Sequence, residues 1–86
     1  MRDIKVERVD NQNYSVSVED FEYKVTLTEN YWRELTSGKI SKEELIKKSF
    51  EFLLEREGPE SIIKEFDLPL ISHYFPAYEE TIKKSL

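Results

Sequence analysis

The chain has 86 residues, of which 38% are hydrophobic and 36% charged, and it carries a net charge of −5. That length gives one core and one domain over residues 1–86, while the apolar content is too high for a disordered chain. The lack of cysteine excludes disulfides and thiolate metal sites, and 18 acidic against 13 basic residues argue against a nucleic-acid partner, which needs clustered cations.

Met1-Arg2-Asp3-Ile4-Lys5 lacks the apolar run of a secretory leader. No stretch approaches the ~18 apolar residues of a membrane span. A soluble, cytoplasmic protein is expected.

Strand signals come first. Ile4 and Val6 alternate with Lys5 and Glu7, the period of a half-buried strand. Asp10-Asn11-Gln12-Asn13 is a polar cluster of the kind that reverses a chain. Tyr14, Val16 and Val18 then alternate with Ser15, Ser17 and Glu19, and Phe21, Tyr23, Val25 and Leu27 with Glu22, Lys24, Thr26 and Thr28. The apolar phase slips by one residue between Val18 and Phe21. Because such a slip would send later side chains to the opposite face, a tight turn or bulge at Glu19-Asp20 is predicted. Residues 1–28 are therefore expected to form a three-stranded antiparallel sheet with one apolar and one solvated face.

From Thr28 the period becomes helical. Thr28 is placed to cap a short helix carrying Tyr31, Trp32 and Leu35 and ending at Ser37-Gly38. Ser41-Lys42-Glu43-Glu44 has the form of a capping box. It predicts a central helix over about 42–57, stopped by Gly58-Pro59. On it Leu45, Ile46, Ser49, Phe50 and Leu53 share one stripe, widened by Phe52 and Leu54 to about half the circumference. Such width suits a helix covered on two sides. The remainder of the 29–86 half is expected to be short helices: one apolar set of Ile62, Ile63 and Phe66, a segment capped by Asp67, and a last helix from Tyr78 after the break at Pro76. The fold class is α+β.

Side chains suited to catalysis are scarce. The lone histidine, His73, stands in Ser72-His73-Tyr74 with no partner motif, and a Cys–His nucleophile is impossible. Glu43-Glu44 and Glu79-Glu80 are adjacent carboxylates that point to different sides of a helix, and no metal-ligand spacing occurs. Two glycines do not make a phosphate-cradling loop. No catalytic, cofactor-binding or metal residues are expected, and the chain is expected not to be an enzyme.

Aromatic residues are the remaining candidates. Tyr74, Phe75 and Tyr78 cluster around Pro76, where they either fasten the C-terminal helices to the core or, with Trp32, form a partner surface. The expected partner is a protein, either another chain or a second copy in a homodimer. The expected function is a small non-catalytic binding or assembly module acting through protein–protein contacts.

Two resemblances bear on this. Tyr23-Lys24-Val25-Thr26-Leu27-Thr28 and Ser41-Lys42-Glu43-Glu44-Leu45-Ile46 resemble the strand and second-helix start of ribbon–helix–helix DNA-binding repressors and antitoxins, a pattern over residues 22–57. That resemblance implies DNA contacts from Lys24 and Thr26 in the major groove and from Lys39, Ser41 and Lys42 at a phosphate. Glu22, the net charge, the two preceding strands and a short first helix depart from the pattern. The run Ser49-Phe50-Glu51-Phe52-Leu53-Leu54-Glu55-Arg56-Glu57, with Glu60-Ser61-Ile62, Phe66-Asp67-Leu68 and Tyr74-Phe75-Pro76-Ala77-Tyr78-Glu79, resembles a group of short uncharacterised prokaryotic proteins. It implies one self-contained domain and no assigned activity.

Overall fold

The computed structural model describes residues 3–86. Strands β1 (Ile4–Arg8), β2 (Asn13–Val18) and β3 (Phe21–Thr26) form the expected antiparallel meander. Its two turns follow from local chemistry. The Asp10 carboxylate accepts hydrogen bonds from the main-chain N–H groups of Gln12 and Asn13, both at 2.9 Å, which closes the first turn. Those amides hold the Asp10 carboxyl below its ordinary range. Glu19, at φ 54°, takes the left-handed conformation that reverses the chain between β2 and β3, and so absorbs the phase slip.

Helix α1 (Glu29–Thr36) is capped by the Thr28 hydroxyl, which accepts from Tyr31 N–H at 3.2 Å, and ends where Ser37 and Gly38 both turn left-handed. Helix α2 (Lys42–Leu54) is capped by Ser41, whose hydroxyl accepts from Glu44 N–H at 3.1 Å. It stops three residues short of the expected 57. Arg56 and Glu57 both donate back to the Leu53 carbonyl, and Gly58 is already extended, the conformation a following proline favours.

The larger correction concerns the sheet. It has four strands in the order β1-β2-β3-β4, and β4 (Glu65–Asp67) pairs parallel with β3, so the sheet is mixed. A single turn of 3₁₀ helix at Pro59–Ser61 leads into it. Ile62, Ile63 and Phe66 therefore do not share a helix. Asp67 ends a strand and caps nothing; helix α3 (Leu70–Tyr74) starts after Pro69 without a side-chain cap. Helix α4 (Tyr78–Lys84) follows the break at Pro76.

The sheet is open on one face. Tyr14, Val16, Val18, Tyr23, Val25 and Phe66 point inward and are buried, whereas Lys5, Glu7, Glu22, Lys24, Glu65 and Asp67 are exposed. On the inner side α2 buries Leu45, Ile46, Ser49, Phe50, Phe52 and Leu53, the predicted stripe. A row of rings fastens the layers: Tyr23 to Phe50 at 5.1 Å and Phe50 to Phe66 at 6.1 Å between centroids. The Tyr23 hydroxyl donates to the Pro59 carbonyl at 2.6 Å, anchoring the turn that delivers β4. No helix among the described residues is long and apolar enough to cross a membrane.

Candidate functional site

At the β4 end of the inner layer lies a cleft of 270 Å³. No residue of β1, β2 or β3 lines it. Leu53 from the end of α2, Ile62 from the loop, Phe66 from β4 and Ile71 from α3 are buried around it. Ile63, Leu70, Tyr74 and Phe75 complete the apolar wall, and Glu57 and Ser61 are the polar lining. Tyr74 is 60% exposed and Ile63 45%, although both line the cleft. Scattered exposed apolar residues are ordinary, but two on one concave apolar wall form a patch. Glu57 has no ion-pair partner among the described residues.

The exposed pair follows from the local chain. Ile62 and Ile63 are adjacent just before an extended segment, so their side chains diverge: Ile62 is 5% exposed and Ile63 faces out. Tyr74 and Tyr78 are four residues apart, a spacing that would stack them on one helix, but Pro76 separates α3 from α4 and they diverge as well.

The four aromatic candidates are thus split. Tyr74 and Phe75 stand together at the cleft. Phe75 is half-buried, edge-on to Phe52 with centroids 5.9 Å apart. Tyr78 is fully buried, packed edge-on to Phe52 at 5.3 Å, and belongs to the core instead of the surface. Its hydroxyl meets Ser49 Oγ, which itself donates to the Leu45 carbonyl at 2.7 Å. A carbonyl offers no proton, so Ser49 spends its own on Leu45 and Tyr78 donates to Ser49. Trp32 lies outside the cleft, half-buried, its indole N–H donating to the Ile40 carbonyl at 2.8 Å and its ring 5.4 Å from Lys42 Nζ. It holds the α1–α2 connection.

The residues drawn from the ribbon–helix–helix resemblance are dispersed. Lys24 and Thr26 sit on β3, whose two edges are taken by β2 and β4. Lys24 stands opposite Glu65 in the register, and Thr26 donates to Asn13 Oδ1 at 3.1 Å. Lys42 Nζ pairs with Glu29 at 3.3 Å, Ser41 is occupied as the cap of α2, and Lys39 is exposed in the loop before it. His73 is exposed, its ring edge-on to Tyr74 at 5.4 Å, and does not line the cleft. Among the described residues no group of three His, Asp or Glu side chains could hold a metal ion.

No family model, curated protein or solved structure matches the chain. The cleft is the site that the molecule's own geometry offers. Sequence reasoning found Tyr74 and Phe75 and missed Ile63, Leu70 and Glu57. The one available signal was the Ile62-Ile63 pair, because two adjacent aliphatics in extended backbone point to opposite sides.

Proposed function

We propose that this protein is a non-catalytic binding module that docks a protein partner in the cleft between α3, β4 and the end of α2. The observation that supports the reading is the exposure of Tyr74 and Ile63 on an otherwise apolar wall. Keeping such side chains in water forgoes about 25 cal/mol for each Å² of apolar surface that a partner would cover. Tyrosine also suits the centre of an interface, since it brings large area with few rotatable bonds.

A selection of displayed random twelve-residue peptides against the whole chain tests this. The expected result is a family of peptides that binds the native protein and loses at least tenfold in affinity to Ile63→Lys, about 1.4 kcal/mol. Ile63 is half out in solvent, so that lysine extends into water and the fold is kept. Selected peptides indifferent to Ile63→Lys and to Tyr74→Ala, or no selected peptides, would refute docking at the cleft.

A further inference from the structure

The cleft ends at a strand edge whose outward main-chain groups pair with none of the described residues. Lys24 N–H donates to the Lys64 carbonyl at 2.7 Å, and Leu68 N–H donates to the Thr26 carbonyl at 2.9 Å. Main-chain groups alternate along a strand, so those of residues 64, 66 and 68 face β3 and those of Glu65 and Asp67 face away. Among the described residues no main-chain group pairs with Glu65 or Asp67. Both residues are exposed. β4 therefore presents two donors and two acceptors along its outer side, directly beside Phe66, its one inward ring and part of the cleft wall.

We infer that the outer edge of β4 takes an extended, basic segment of another protein as a fifth strand, whose alternate apolar side chains fill the cleft. This rests on the cleft being a protein-docking site and names the conformation and charge of what docks. The added strand would run ~4.8 Å from β4, and its inward side chains would fall beyond Phe66, against Ile63, Ile71 and Tyr74. Its outward side chains would join the face of Glu65 and Asp67. Charge selects the occupant. Residues 57–67 hold Glu57, Glu60, Glu65 and Asp67 against the single cation Lys64, so lysine and arginine on the incoming strand are favoured. A second copy pairing through its own β4 would set Glu65 and Asp67 against the same acids and is disfavoured.

The experiment starts from the peptides selected against the cleft. Strand addition predicts alternating apolar and Lys or Arg positions and an affinity that falls as salt rises. N-methylation of the peptide backbone at alternate residues should cost at least tenfold at one parity and little at the other, because only one set of amides faces β4. Glu65→Pro and Asp67→Pro each delete one outward N–H and spare those bonded to β3, and each should weaken the same peptides. The N-methyl series decides the matter on the unaltered protein even if a proline variant fails to fold. Peptides that depend on Ile63 yet tolerate N-methylation at both parities would overturn strand addition and leave cleft docking standing. Acidic consensus sequences would overturn the charge assignment. Scattering mass that grows with protein concentration and is abolished by Glu65→Pro would give the edge to a second copy of this chain and overturn the inference. An empty selection, or one that ignores Ile63, removes the docking site itself and the inference with it.

Discussion

Ser49 and Tyr78 form a hydroxyl pair buried in the core, and the direction of their protons makes the two substitutions unequal. Tyr78→Phe deletes a donor and leaves Ser49 bonded to Leu45, for a loss of about 1 kcal/mol. Ser49→Ala strands the Tyr78 hydroxyl in an apolar site and should cost about 1–3 kcal/mol, the larger of the two in urea denaturation. The double variant should resemble Tyr78→Phe more than the sum, since no orphan donor remains. Tyrosines also set an alkaline limit. Burial pushes both the Tyr31 and Tyr78 phenols up, and the bond from Tyr31 to Glu79 at 2.7 Å adds to the first. The folded chain thus keeps protons that the unfolded chain releases near pH ~10. Stability should be level with respect to these groups below that pH and fall above it. Tyr31→Phe should flatten the decline in urea midpoints measured between pH 8 and pH 11.

At the scale of elements, the hydroxyl cap of α2 offers a clean measurement. Ser41→Ala should cost ~1 kcal/mol in chemical denaturation, because Glu44 N–H loses its acceptor in the first turn. Ser41→Asp should retain most of the stability through the same acceptor geometry. This cap was legible in the sequence because its signal is confined to four consecutive residues. The turn at Asp10–Asn13, the reversal at Glu19 and the stripe on α2 were legible for the same reason: each is a local pattern that the chain satisfies with its own neighbours. β4 was not. Glu65-Phe66-Asp67 has one apolar residue, too few to define a period of two, and its partner β3 lies on the far side of two helices. The cleft was half-legible. Tyr74 and Phe75 announced an aromatic cluster, but its other walls come from α2, the loop and β4, whose convergence depends on the strand that the pattern concealed. Tyr78 fell on the wrong side because proximity in sequence to Tyr74 says little once Pro76 resets the helical phase.

The whole molecule has a radius of gyration of 11.8 Å, against about 12 Å expected for a fully compact chain of this length. One continuous cluster of buried residues runs from Tyr14 to Ile82 through every layer. All four strands and all four α-helices of the described residues contribute to that cluster or pack against it, so unfolding should be a single transition. Far-ultraviolet circular dichroism, which sees all helices, and Trp32 fluorescence, which sees the α1–α2 connection, should give coincident denaturation curves. Separate midpoints would mean that the α1–α2 connection melts apart from the core. The parallel pairing of β4 adds a consequence in time. The meander of β1, β2 and β3 closes through turns a few residues long, whereas β4 reaches its place only after residues 27–64 have been gathered. Long closures carry their entropy loss before any contact repays it. The last strand to arrive then supplies one of the sheet's two outer borders, and a nascent chain spends its earliest moments with β3 as the bare margin that β4 later shields.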